Sequence, residues 1–278
     1  MSRPRDGNPV GWAGAQAAML GIGVLTVFPI YFIAITAFKT RKEYLTNQFL
    51  PPSDPTLANF HTAFRDGQLL RWVGNSLLIT LASVLIAAVI SALAAYPLAR
   101  ARFPGRLPFI GLNVVLMVVP PVVLVVPLFL FFVGLGLVNS RLAVVIIYVG
   151  LLIPFSIYLL VNFFATIPRS LEEAARIDGA GQLRTLYHVI VPLSMPAIVT
   201  IVVVNAVWVW NELLIALVFL QDDNSRTLTA GLTFFQGRFI SNEPLVMTGA
   251  LIATVPMLLL YLVGQRFFVR GLTAGFGK

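Results

Sequence analysis

The sequence predicts an all-α integral membrane protein with about six transmembrane helices and a polar helix-turn-helix between helices 4 and 5. Three observations predict it. Hydrophobic residues make up 58% of the chain and charged residues only 11%, with a mean hydropathy of +0.90, whereas a soluble globule is about a quarter charged. Six apolar stretches are each long enough to cross hydrocarbon, which takes about 20 residues at roughly 1.5 Å rise each. Those stretches are continuous and show no period of two, so they read as helices rather than barrel strands.

The spans fall at about 13–38, 74–98, 107–134, 142–166, 192–219 and 245–268. The first follows Arg3 and Arg5 and has the outline of a secretory signal. Its apolar run is too long for one, so it reads as an uncleaved span. The first outer loop, about 39–73, contains LPPSDPTLANF, whose prolines favour extended, turn-rich backbone. Span three carries Pro120, Pro121 and Pro127 and is expected to be kinked or broken. A break at membrane depth is tolerated where protein or a cavity meets the freed carbonyls. The last outer loop, about 220–244, is polar. With no internal repeat and no domain-sized linker, the chain reads as one membrane domain over 1–278, its core at about 74–268 with the N-terminal span at about 13–38.

Lipid-exposed charge is costly, and of the eleven acidic residues only Glu212 falls inside a predicted span. The net charge of +8 reads as basic anchors beside the spans and not as nucleic-acid binding, because no basic helix with interleaved aromatics is present. Six spans put both termini on one side. With that side cytoplasmic, the tight inner turn holds Arg100, Arg102 and Arg106 against Arg141 in the tight outer one, which fits the positive-inside rule. The cluster Lys39, Arg41 and Lys42 on the outer side opposes it.

Catalytic chemistry is missing. No cysteine is present, which removes disulfides, thiolate catalysis and zinc–cysteine sites together. His61 and His188 fall in loops on opposite predicted faces, and neither can complete a metal pair. The GLTAGFGK run fails the phosphate-loop spacing because Leu272 stands at the first glycine position. The chain is therefore expected to be no enzyme and to bind no cofactor or metal, and any energy for transport comes from elsewhere.

The polar segment Ser170–Pro196, SLEEAARIDGAGQLRTLYHVIVPLSMP, is the most informative part. Ser170 and Glu173 fit an S-x-x-E capping box, with Pro168 stopping span four. Glu172 to Arg176 are good helix formers. Gly179 and Gly181 break the helix, and a second short helix, about Gln182–Ile190, runs until Pro192. Leu171, Ala174, Ala175 and Asp178 share one face. On physics alone this reads either as an interfacial amphipathic anchor or as a surface for another protein, which Ala174, Ala175 and Ala180 would let approach closely.

Glu173-Ala174-Ala175, then Asp178-Gly179-Ala180, then Ile190-Val191-Pro192 resemble the EAA loop of permease subunits in binding-protein-dependent ABC importers. Further likeness to the carbohydrate-uptake branch runs through residues 75–106, 209–237 and 265–278. The chain is similar to the family of the six-span maltose-transporter inner-membrane subunit. The resemblance implies a coupling helix-turn-helix docking on a cytoplasmic ATPase dimer through Glu173, Ala174, Ala175, Asp178, Gly179, Ala180 and Pro192. It implies a second homologous permease subunit, an extracytoplasmic sugar-binding protein, and ATP with Mg on the partner ATPase rather than on this chain. It also implies a multi-pass protein of the cytoplasmic (inner) membrane that imports a sugar by alternating access.

In span five, Asn205, Trp208 and Glu212 lie at i, i+3 and i+7 on one face, with Asn211 beside them. An aromatic face suits sugar C–H surfaces, and amides and carboxylates suit hydroxyls, so the stripe is a candidate substrate path. It reads equally as an interfacial aromatic belt with a paired glutamate. The functional alternative is an ion-coupled sugar carrier working without an ATPase. That requires ionisable groups near the midplane, where only Glu212 is available, and off-centre.

Overall fold

The computed structural model describes residues 9–65, 68–238 and 242–276, and within them the side chains of 14–65, 68–234, 237 and 242–262. Arg3, Arg5 and Lys278 lie outside the described residues, as do the side chains of Arg238, Arg266 and Arg270.

Every described element is helical. Among the described residues, four helices are long and apolar enough to cross a membrane: α1 (Pro9–Ala37), α4 (Gln68–Arg100), α7 (Arg141–Thr166) and α14 (Glu243–Phe276). Two bent pairs bring the number to six when each is one span. The first joins α5 (Arg106–Val118) to α6 (Pro121–Gly134) at 96°. Val119 and Pro120 are both extended there, and Pro121 opens the next helix, as its fixed φ and missing N–H allow. The prolines thus break span three outright, and Pro127 is accommodated inside α6.

The second bent pair corrects the fifth span. The sequence places it at 192–219 as one run, but the chain is already helical from Gln182 to Leu193 and turns by 78° into α11 (Met195–Asn211). Ser194 sits at the turn, and Pro196 occupies the first turn of α11. Glu212 then interrupts the run, and a separate helix α12 (Leu214–Phe219) follows. The two loops expected on the outer side are also more helical than the sequence suggests. Helices α2 (Arg41–Thr46) and α3 (Ala58–Arg65) occupy the first, and α13 (Leu228–Arg238) the last.

The chain divides into two compact units, residues 1–67 with 234–252 and residues 68–233 with 253–278. In the first, Lys39 is fully buried and donates to the carbonyls of Asn47 and Gln48 at 2.9 and 3.0 Å. The Asn59 amide bridges the carbonyls of Ala37 and Lys39. Burial lowers the pKa of Lys39, opposed by the nearby Glu43 carboxylate.

The second unit is organised around α4 against α7. Ser83, Ala87, Ser91 and Ala95 are all fully buried, a four-residue repeat of small side chains that lets another helix approach closely. One apolar cluster gathers Ala87, Tyr148, Val209 and Phe219. A second gathers Ala95, Leu160, Phe164, Leu186, Ile190 and Ile201, so the polar segment after α7 is rooted in the core by its own Leu186 and Ile190.

Candidate functional site

Helix α8 (Arg169–Ile177) forms the first half of the polar segment. The capping box does not form: Pro168, extended at φ −57° and ψ 133°, is the N-cap, and no side chain caps the helix. The helix begins earlier than the box requires, so Ser170 and Glu172 lie inside its first turn. The C-terminus follows the sequence closely. Gly179 adopts φ +79°, its N–H bonds Arg176 O at 3.0 Å, and Ala180 N–H bonds Ala175 O at 2.9 Å. These are the two bonds of a Schellman motif with Gly179 as its left-handed residue.

After Gly181 the chain forms a single turn, α9 (Gln182–Thr185), then a π-helical turn Leu186–Ile190, then α10 (Val191–Leu193). The helix therefore passes through Pro192 and does not stop at it. Proline would clash with the carbonyl four residues back, and the π turn immediately before it widens the helix, with Val191 N–H reaching Leu186 O.

Two adjacent glutamates on a helix point about 100° apart, and α8 separates them accordingly. Glu172 is buried at 5% exposure. Its Oε1 lies 2.5 Å from Arg100 Nε, and its Oε2 accepts the Tyr96 hydroxyl at 3.2 Å. Glu173, Ala174 and Asp178 are exposed, with Leu171 and Ile177 beside them, and Ala175 and Ala180 are half-buried. The sequence reading singled out Glu173 and passed over Glu172, Arg100 and Tyr96. The Glu-Glu pair carried no signal of its own, since adjacent residues of this helix such as Glu173 and Ala174 are both exposed.

In span five, Asn205 is buried and donates to Ser156 Oγ at 2.9 Å. With Trp208 it lines a cavity of about 280 Å³ that also borders Val119 and Pro121, at the break between α5 and α6. Glu212 is drawn elsewhere. Its carboxylate accepts the N–H groups of Ile215 and Ala216 at 3.0–3.2 Å, capping α12, and accepts the Tyr148 hydroxyl. Asn211 is exposed and donates back to Val207 O. The structure thus brings Asn205 and Trp208 together on one cavity and puts Glu212 and Asn211 to other uses.

A third polar cluster, absent from the sequence reading, lies at the opposite end of α4. Asn75 donates to the carbonyls of Asn224 and Arg226, both at 2.9 Å, and accepts from Arg141 Nη1 at 2.8 Å. Ser76 Oγ accepts Leu228 N–H, and Trp72 Nε1 donates to Asp223 O. Asn139 Oδ1 accepts the N–H groups of Gln221 and Asp222. Residues 221–228 are thereby pinned to the start of α4 and the turn before α7.

Residues 85–272 match the family described as binding-protein-dependent transport system inner membrane component. Among curated relatives, a melibiose/raffinose/stachyose import permease protein of Bacillus subtilis (strain 168) is 35% identical over 248 residues, covering 89% of this chain and 90% of that one. A sulfoquinovosyl glycerol transport system permease protein of Agrobacterium fabrum (strain C58 / ATCC 33970) is 36% identical over 268 residues, covering 95% and 94%. Among solved structures, a chain of a bacterial ABC transporter involved in the import of the acidic polysaccharide alginate superposes with a TM-score of 0.83 at 26% identity, covering 96% of this chain and all of that one. A family match across well over half of the residues, with relatives aligned nearly end to end, makes this chain a member of the binding-protein-dependent transport system inner membrane components, the permease subunits of ABC importers.

Proposed function

We propose that this chain is the non-catalytic permease subunit of an ATP-driven sugar importer of the cytoplasmic membrane. It lies with both termini cytoplasmic and works by alternating access. The polar segment docks on a separate ATPase dimer, which carries the ATP and Mg. A second homologous permease subunit completes the pathway, and an extracytoplasmic binding protein delivers the sugar. The observation that carries this reading is the outward face of α8. Glu173, Ala174 and Asp178 are left exposed on a helix closed by the Gly179 Schellman turn, in a segment rooted in the core by Leu186 and Ile190. An exposed face that mixes Ala174 with acidic groups and with Leu171 and Ile177, on a segment rooted in the core, suits a protein partner, whereas a free interfacial anchor requires no such root.

The sugar assignment draws on the names of the two relatives and of the solved neighbour, and on the cavity shared by Asn205 and Trp208. Their amide and indole supply a hydroxyl partner and an aromatic face. The proline break at Val119–Pro121 on the cavity wall supports a wall that moves between two states.

Co-purification tests the reading. The intact chain should retain a cytoplasmic ATPase, and Glu173→Ala with Gly179→Pro should lose it. Reconstitution with the ATPase, partner permease and binding protein, screened against di- and oligosaccharides, should give ATP hydrolysis that rises with the correct sugar. Sugar uptake driven by an ion gradient with no ATPase bound would instead establish the ion-coupled carrier.

A further inference from the structure

Arg100 ends α4, and Glu172 lies in the first turn of α8. Their charged groups meet at 2.5 Å, with side chains 10% and 7% exposed. Arg100 Nη2 also donates to Ile167 O at 2.8 Å, and Ile167 is the C-cap of α7. A single guanidinium therefore ties together the end of α4, the end of α7 and the start of α8. The covalent link from α7 to α8 is only Ile167 and Pro168, both extended. Leu186 and Ile190 root the segment beyond α8 and Tyr96 adds one neutral bond to Glu172, so at the start of α8 the guanidinium is the charged tie that resists a swing about that link.

The ion pair is nearly dry, so water and salt screen it far less than a surface pair. Separating the partners would strand a buried charge on each side. The far end of α4 is clamped as well, at Asn75, by the bonds to residues 224 and 226 and to Arg141. From Asn75 to Arg100 is roughly 37 Å of helix at 1.5 Å per residue, held at both ends.

We propose that Arg100 and Glu172 form a strut that makes α8 and α4 move as one body, so that force received at the docking face is carried along α4 to the 221–228 loop. Both are positioning residues: neither touches sugar or nucleotide. The proposal rests on reading α8 as the ATPase-docking element. Glu172 does the transmitting, and its neighbour Glu173 faces the partner.

The test uses the complete importer in proteoliposomes and reads sugar taken up per ATP hydrolysed. Glu172→Gln keeps the shape and removes the charge. It should retain the ATPase and hydrolyse ATP within about twofold of the wild type, while uptake per ATP falls about tenfold. The exchange Arg100→Glu with Glu172→Arg should recover most of that loss, and Tyr96→Phe, which leaves the ion pair intact, should stay within about twofold. An unchanged uptake ratio in Glu172→Gln overturns the strut. So does loss of the ATPase from that variant, which would assign Glu172 to docking. A second measurement leaves the pair intact and so does not depend on the variants folding. The chain has no native cysteine, so with partner subunits also freed of reactive cysteine, spin labels at Leu93→Cys, exposed on α4, and at Arg176→Cys on α8 report on the two helices. One separation, the same in nucleotide-free and ATP-bound complexes, supports a single body, and a separation that shifts between those states overturns it. A wild-type chain that retains no ATPase at all sinks the docking reading itself.

Discussion

Tyr148 donates its hydroxyl to Glu212 Oε2 at 2.6 Å, and the same ring meets Trp208 edge-on with centroids 5.9 Å apart. One tyrosine on α7 therefore separates two residues that helical spacing puts on a common face. Trp208 stays on the cavity wall, and Glu212 is held back at the N-terminus of α12. The carboxylate satisfies two of the orphan N–H groups there. Removing it as Glu212→Ala costs about 1 kcal/mol for the cap and about 1–3 kcal/mol more for the stranded Tyr148 hydroxyl. Glu212→Gln should lose less than half as much. Thermal unfolding of the assembled complex in detergent measures both, and an unshifted melting point in Glu212→Ala would count against the cap.

The cavity assignment predicts a labelling pattern. On the cysteine-free background, Asn205→Cys and Trp208→Cys should react with polar thiol reagents in the cycling transporter. Ile201→Cys, one turn before Asn205 and fully buried in the core, should stay protected. Trp208→Ala should weaken sugar-dependent uptake about tenfold, equivalent to about 1.4 kcal/mol. Equal protection at 201, 205 and 208 would remove span five from the path.

Gly179 and Gly181 are close in sequence and unlike in backbone. Gly179 has φ +79° with open space where a Cβ would lie, so Gly179→Ala is strained by conformation alone, at about 1–2 kcal/mol. Gly179→Pro also removes the N–H that bonds Arg176 O and should abolish coupling while leaving membrane insertion intact. Gly181, at φ −73°, should accept alanine with little change. Uptake and ATP hydrolysis measured in parallel check the contrast, and normal uptake by Gly179→Pro would refute it.

Gly231 is required for space. A Cβ there would run into the Trp72 indole, and Trp72 is itself fixed by its bond to Asp223 O. Gly231→Ala must displace the ring and should destabilise by about 1–3 kcal/mol. The loss should be smaller on a Trp72→Leu background, where the obstruction is gone. Double-mutant unfolding measures that coupling, and additive losses would contradict it.

Lys39 predicts a pH dependence. Burial lowers its pKa from the ordinary 10.5, so between the lowered value and 10.5 the unfolded chain holds a proton that the folded chain has released. Stability contributed by this residue therefore rises with pH across that window and is flat below it. The stability of the wild type relative to Lys39→Met should climb as pH is raised toward 10. A difference that falls over that range would show the lysine to be favoured in its charged form.

The membrane spans were legible because hydrocarbon imposes a length and a composition that no packing detail overrides. The prolines at 120 and 121 announced the break in span three because a missing N–H acts locally, and Gly179 announced its turn for the same reason. The capping box failed because Pro168 set the helix start first. Glu212 was legible as a polar residue in an apolar run. Its employment as a cap was not, since it depends on a separate α12 whose Ile215 and Phe219 pack into the cluster with Tyr148 and Val209.

The sequence by itself determined the class of the molecule, the number of membrane crossings available, and the polar segment with its glycine hinge. These follow from apolar length, local backbone preference and short-range spacing, each expressed within a few residues. Only the tertiary structure decided which of two adjacent glutamates is buried, that Arg100 joins α4 to α8 across 72 residues of chain, and that Asn75 holds a loop about 150 residues away. An ion pair or side-chain amide hydrogen bond of that kind depends on which helices come to lie side by side, and the close packing of Ser83, Ala87, Ser91 and Ala95 into the core fixes that only after the chain has folded.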